Sequence, residues 1–282
     1  MRSPLNKRLF RELRGEFGKY LVIFILMTLT IGMVSGFLVA DGSMIQAYEE
    51  SFEKYNIENG HFRTEKKMNN AQIQDIEDLG IKLYENYYVE EALTNGSTMR
   101  IFKNRDEVNK VCLMKGKMPG KPGEIGIDRM YADNNDLSVG DEIESGGHTW
   151  KITGLVALSD YSALFSDNND SMFDSVKFGV SVVCPEEFDS YKADQLNYSY
   201  AWKYNTEPKN EKAEKDISED LMEDVAKEVT LEEFVPRYTN QAIIFTGDDM
   251  GGDRSMMIVL LYIIIVIMAF VFAITTSNTI RK

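Results

Sequence analysis

Residues 20–40 read YLVIFILMTLTIGMVSGFLVA, and residues 256–274 read MMIVLLYIIIVIMAFVFAI. Neither run contains a charged side chain. An α-helix rises 1.5 Å per residue, so about 20 apolar residues cover the roughly 30 Å hydrocarbon core of a bilayer. Backbone groups in lipid must be satisfied within their own segment, so each run reads as a transmembrane helix. A buried core helix of a soluble protein is the competing reading, and the length and lack of charge speak against it. A secretory signal peptide is a second alternative for the first run. Its apolar core would be about 7–15 residues long and would end on small residues, whereas this run ends Leu38-Val39-Ala40.

Between the runs the chain changes character. Of 282 residues, 31 are Lys or Arg and 45 are Asp or Glu, a formal charge of −14. The deficit of base lies in residues 41–255, with 23 basic against 43 acidic side chains. The leader before the first run is basic instead: Arg2, Lys7, Arg8, Arg11, Arg14 and Lys19 against Glu12 and Glu16. Arg281 and Lys282 follow the second run. Excess Lys and Arg stay on the cytoplasmic side, so both ends of the segment are expected in the cytoplasm and residues 41–255 outside. An acidic outer domain excludes nucleic acid and other polyanions as partners.

These limits divide the chain into five parts. Residues 1–19 form a basic amphipathic helix on the inner membrane surface, with Leu5, Leu9, Leu13 and Phe17 every four positions. Residues 20–40 are the first transmembrane helix, residues 41–255 an α+β extracytoplasmic domain, and residues 256–277 the second transmembrane helix. Residues 278–282 begin a cytoplasmic remainder. In the first helix Thr28, Gly32, Gly36 and Ala40 recur at four-residue spacing. That pattern puts small residues on one face and lets another helix approach closely.

The period continues through Met44, Ala47, Tyr48, Phe52 and Tyr55, predicting a helical stalk that Asn59-Gly60 stops. Asn69 and Asn70 cap a short helix to Leu79, with Ile73, Ile76 and Leu79 on one side. IKLYENYYVEEAL (81–93) and STMRIFK (97–103) read as strands flanking an Asn95-Gly96 hairpin turn. VCLMKG and EIGID are short strands, and DEIES pairs with HTWKITGLVAL across Gly146-Gly147. FGVSVVC is a buried strand leading into PEEFDSY, a helix begun by Pro185. NYSYAWKYN is a strand. Residues 207–229 form a charged helix whose apolar side includes Ile217, Leu221 and Val225, and TGDDMGGDRS (246–255) is a flexible link.

Catalytic equipment is sparse. His61 and His148 have no ligand spacing around them, and H-E-x-x-H, C-x-x-C, G-x-S-x-G and the phosphate-binding loop G-x-x-x-x-G-K-[ST] are absent. Asp167-Asn168-Asn169-Asp170 hints at calcium, but Met172 stands where a calcium loop needs glycine, and a solvated acidic loop fits better. Cys112 and Cys184 share a compartment that permits a disulfide, and two buried free thiols fit the same sequence. No catalytic, cofactor-binding or metal-binding residue is assigned.

One succession is more specific. Residues 116–128, GKMPGKPGEIGID, precede Ala132, then Leu137-Ser-Val-Gly-Asp141 and, after a hairpin, Ile152-Thr-Gly-Leu-Val156. With the leader LNKRLFRELRGEFGKY and the SGFLVADGSM that closes the first run, it resembles the extracytoplasmic core domain of FtsX-like and MacB-type ABC transporter permeases. The resemblance spans essentially the whole chain and implies structural, not catalytic, roles for these residues. It implies a permease subunit, not itself an enzyme, driven by a separate cytoplasmic ATPase and paired with a second copy or a sister permease in a lipid bilayer. It also implies that residues 1–282 are the N-terminal part of a longer permease with further membrane helices. A membrane-anchored sensor with two transmembrane helices is the alternative that shares this layout.

Overall fold

A computed structural model of the chain describes residues 14–15 and 17–280. The basic amphipathic helix expected over residues 1–19 falls largely outside the described residues, as do Arg281 and Lys282 of the cytoplasmic remainder. The chain divides into two compact units, one comprising residues 1–48 and 247–282 and the other residues 49–246.

The first unit is built from helix α1 (Phe17–Lys54) and helix α6 (Gln241–Ile280). Both are long and apolar enough to cross a membrane, and hardly any of either apolar stretch is buried within the chain. On α1, Val34 and Asp41 are buried, and Tyr48 meets α6 so closely that a Cβ on Gly247 would lie 2.5 Å from its ring. Residues 34, 41 and 48 are seven apart, the repeat of helix pairs wound with a small crossing angle. At 100° per residue, Gly32 and Gly36 point to the opposite side of α1. A Cβ added at either has nothing within 4 Å.

The second unit is α+β and holds two sheets. A four-stranded sheet has the order β11 (Leu231–Pro236), β1 (Gly60–Thr64), β10 (Tyr198–Tyr204) and β2 (Ile81–Glu85), with every pair antiparallel. Alternation along these strands stacks Phe62, Tyr200, Trp202 and Phe234 on one face. The Trp202 and Phe234 ring centroids are 4.7 Å apart, and those of Phe62 and Tyr200 5.6 Å apart. Helices α2 (Asn70–Glu77) and α5 (Glu211–Glu228) cover this sheet and meet each other. Asn69 caps α2 with a full capping box, Gln72 returning the bond.

A second, mixed sheet has the order β3 (Tyr88–Ala92), β4 (Thr98–Lys103), β9 (Phe178–Val183), β6 (Glu124–Asp128), β8 (His148–Leu158) and β5 (Val111–Gly116). Strand β7 (Glu142–Ser145) pairs with β8. β9 and β6 lie mid-sheet and are buried at every residue, as expected of strands covered on both faces. Helix α3 (Arg129–Asn134) follows β6, capped by Asp128, and helix α4 (Pro185–Phe188) follows β9.

Several expectations need correction. The stalk ends at Lys54, and Asn56, in the left-handed region at φ 49°, turns the chain. Gly60 does not stop a helix. It starts β1, where a Cβ would lie 2.3 Å from the Trp202 ring. Residues 81–93 are not one strand, because the chain breaks at Asn86-Tyr87 and β2 and β3 join different sheets. Leu79 lies beyond α2 and is exposed, and on α5 the buried face is Ser218, Leu221 and Val225, with Ile217 outside. PEEFDSY is helical only over Pro185–Phe188. TGDDMGGDRS is part of α6, since glycine in a helix costs only about 1 kcal/mol, and Gly247 admits Tyr48. Strand β11, with its acidic LEEF start, had no clear alternation to reveal it. Cys112 and Cys184 are free thiols.

Candidate functional site

The stretches 116–128, 137–141 and 152–156 come together in one module of the mixed sheet. Gly116, at φ +80°, lets β5 run against β8, where a Cβ would stand 2.3 Å from the Thr153 carbonyl oxygen. Gly154 opposes it, with Lys117 O at 2.5 Å from a virtual Cβ. Glu124 closes the Pro-Gly turn by accepting from Gly120 N at 3.0 Å and from Lys117 Nζ at 3.3 Å. The Gly120 amide is the chief reason that the Glu124 carboxyl is held below its ordinary range. Gly140 N donates to Ile152 O, Ile152 N to Asp141 O, and Asp141 Oδ2 accepts from Ser138 N at 2.8 Å. These residues shape the backbone of the module.

A cavity of about 550 Å³ lies between the two sheets of the second unit. Period-two alternation aims its walls. On β1, Phe62 points into the aromatic core, while His61 and Arg63 face the cleft. On β4, Thr98, Arg100 and Phe102 face it, while Met99 and Ile101 are buried on the other side. The segment 160–178 closes the cleft.

Arg100 stands on the floor with four of its five guanidinium N–H donors engaged. It donates to Glu90 Oε1 at 2.8 and 2.6 Å, to the Tyr161 hydroxyl at 2.7 Å and to Ser166 O at 2.8 Å, and it lies over the Tyr88 ring. Burial pushes the Tyr161 hydroxyl well above its ordinary pKa, so it is a neutral donor and acceptor. Arg63 reaches Glu232 at 3.1 Å and Glu233 at 3.6 Å. Six carboxylates line the cleft against three Lys or Arg and one histidine.

At one wall lies a buried polar cluster. Glu58, 1 % exposed, accepts from Asn109 Nδ2 at 2.6 Å and contacts His61 Nδ1 at 2.6 Å. Arg105 makes a two-pronged pair with Asp160 at 2.7 Å on each prong, and both side chains are less than a tenth exposed. Burial by itself would raise the Glu58 pKa, but His61, Asn109 and Arg105 outweigh it and hold the carboxyl low. Burial likewise opposes a charged His61, but Glu58, Glu233 and Asp160 outweigh it and raise its pKa.

The groups lining the cleft can recognise a ligand by charge and hydrogen bonding. Among the described residues His61 has no hydroxyl or thiol at hydrogen-bond distance, so no nucleophile–base pair forms. No group of three or more His, Cys, Asp or Glu is placed to hold a metal among the described residues. The Asp167–Asp170 loop spends its oxygens locally: Asp170 accepts from Ser166 Oγ, Asp167 from Asn169, and Asn168 Oδ1 from Gln241 N at the start of α6. His148 is half exposed and stacks on Trp150 and Tyr191, away from the cleft. Sequence reasoning missed Glu58, Arg105, Asn109 and Asp160. Each lies in a connecting segment without periodicity, and nothing in the sequence links positions up to 102 residues apart.

No family model matches the sequence, and no match was found among curated proteins. Among solved structures, the chain is similar to the periplasmic region of MacB from Actinobacillus actinomycetemcomitans. The identity is 11 % and the TM-score 0.33, over 60 % of this chain and 85 % of that one. It is also similar to the extracellular domain of the noncanonic ABC-type transporter YknZ from Gram-positive bacteria. There the identity is 10 % and the TM-score 0.32, over 60 % of this chain and 92 % of that one.

Proposed function

We propose that the chain is part of the permease component of an ABC transporter of the FtsX or MacB kind, in which a separate cytoplasmic ATPase supplies the energy and the domain of residues 41–255 works outside the membrane. The observation that carries this reading is the assembly of the Gly116–Asp128, Gly140-Asp141 and Gly154 stretches into one β module between two apolar helices. A two-helix sensor has no need of that module. The basic leader and the Arg281-Lys282 end support cytoplasmic termini. The outward face of Gly32 and Gly36, unfilled by this chain, supports close packing of another membrane helix, from a second copy or a sister permease.

Under this reading the chain has no ATPase chemistry of its own, consistent with a sequence that lacks a phosphate-cradling loop. The test is affinity purification of the tagged protein from native membranes, followed by measurement of ATP turnover. The expected result is an ABC-type ATPase in the eluate and turnover that disappears when that ATPase is deleted. ATP hydrolysis by residues 1–282 alone, or purification with a kinase or methyl-accepting module in place of an ATPase, refutes the proposal.

A further inference from the structure

Within the second unit, the cluster at the cleft wall lies against the segment that directly follows α1. Directly after α1, Tyr55 O accepts from Lys110 N, Asn56 O accepts from Asn109 N, and Glu58 N donates to Asn109 Oδ1 at 2.8 Å. Asn109 Nδ2 reaches Glu58 at 2.6 Å and Asp160 Oδ2 at 3.4 Å. Two residues past Asp160, Ser162 Oγ donates to Ala242 O at 2.9 Å and Ile243 O at 2.8 Å, and Thr246 Oγ1 donates to Ser162 O. A continuous chain of hydrogen bonds and two covalent steps thus joins the segment after α1 to the first turns of α6.

The charges in this chain do not balance without a proton. Glu58 and Asp160 are two carboxylates, Arg105 is one guanidinium, and all three are less than a tenth exposed. With a neutral imidazole the cluster buries one net negative charge. With an imidazolium at His61, whose Nδ1 is 2.6 Å from Glu58 Oε1, it buries none. An uncompensated buried charge is costly, and a hydrogen-bonded ion pair relieves that cost. Of the other charged groups around His61, Glu233 on β11 and Asp160 favour the proton. The guanidiniums of Arg63, on the same face of β1, and Arg105, paired with Asp160, oppose it, and the carboxylates prevail.

We infer that Glu58, His61, Asn109, Arg105 and Asp160 form a pH-sensitive clasp that fastens the segment after α1 to the segment that holds α6 when His61 is protonated, and slackens when that proton is lost. The sign follows from linkage. A histidine whose folded-state midpoint lies above its unfolded value of about 6.5 contributes stability that is complete below that value and lost as pH rises through the folded midpoint. Each unit by which the midpoint exceeds 6.5 corresponds to a tenfold fall in the closed-to-open ratio across the titration. The outward-facing medium that the proposed topology gives this domain would then set the clasp, although the clasp does not depend on what is transported.

The chain has two histidines, so a His148→Gln background leaves one imidazole to follow by NMR in the detergent-solubilised full chain. The expected midpoint of His61 lies above 6.5. Amide exchange of residues 56–61 and 241–246, corrected for the intrinsic pH dependence, should accelerate through the same midpoint. Glu58→Gln removes one buried negative charge and should bring the His61 midpoint down to 6.5 or below. His61→Gln should exchange fast at every pH. A His61 midpoint at or below 6.5 in the unaltered cluster, or exchange in these segments that does not follow its titration, overturns the inference, and both readouts come from protein whose clasp residues are intact.

Discussion

Two glycines in the Pro-Gly module share one backbone conformation but differ in their surroundings, so a pair of alanine substitutions can separate conformational strain from collision. Gly116 and Gly123 both have φ +80°. A left-handed residue with a Cβ costs about 1–2 kcal/mol, and alanine returns about 0.5–1 kcal/mol by restricting the unfolded chain. Gly123 has nothing within 4 Å of a Cβ, so Gly123→Ala should cost no more than about 1.5 kcal/mol. Gly116→Ala bears the same strain and adds a Cβ 2.3 Å from Thr153 O and 3.2 Å from Gly154 Cα, both backbone atoms. Thr153 O also accepts from Lys117 N at 2.9 Å, so moving it away breaks a hydrogen bond between the strands. Overpacking of this kind costs about 1–3 kcal/mol, so Gly116→Ala should cost about 1–3 kcal/mol more than Gly123→Ala. The assay is urea unfolding of the detergent-solubilised chain, followed by tryptophan fluorescence. Trp150 is fully buried in β8, the strand that β5 pairs with, and reports directly. The expected outcome is a midpoint shift for Gly116→Ala that exceeds that for Gly123→Ala by the equivalent of about 1–3 kcal/mol, with unchanged slope. Equal shifts refute the close approach of β5 and β8, and with it the structural role assigned to the Gly116–Gly154 pair.

Asp128 is 5 % exposed, and burial pushes its carboxyl up to about 6 against the backbone amides of Tyr131 and Met130 that favour the charge. A raised carboxyl adds stability below its unfolded value that is lost as pH rises through the folded one. Asp128→Asn, which keeps the Oδ1 acceptor for the α3 cap, should therefore be near neutral at pH 3.5 and stabilising by on the order of 1–3 kcal/mol at pH 7.5. Thermal unfolding at the two pH values checks this, and equal effects at both remove burial as the cause. Gly32→Leu or Gly36→Leu should leave the urea midpoint of the chain unchanged, because nothing of this chain lies near either position, yet impair assembly of the complex in membranes. Leu26→Ile should be mild, and equal loss of the cross-linked complex in all three variants removes the packing face.

The sequence alone determined the features that local rules specify. Length and the absence of charge marked both apolar helices. Period two and Gly-bearing turns marked β3, β4, β7 and β8, where Gly96, Gly146 and Gly147 all have positive φ. The Asn69 cap and the Pro185 helix start were equally legible, because a cap is a contact between residues two or three apart. Tertiary structure decided the rest. It split residues 81–93 between two sheets, because strand partners are chosen by packing over distances that no local pattern encodes. It carried α6 back to Gln241 through three glycines and an aspartate pair, where packing such as the Gly247–Tyr48 contact outweighs weak helix propensity. It also gathered Glu58, Arg105, Asn109 and Asp160 from three separate connections into one buried cluster. Their need for partners arises only once folding has excluded water, so a string of residues in which each is a plausible solvated side chain gives no sign of it.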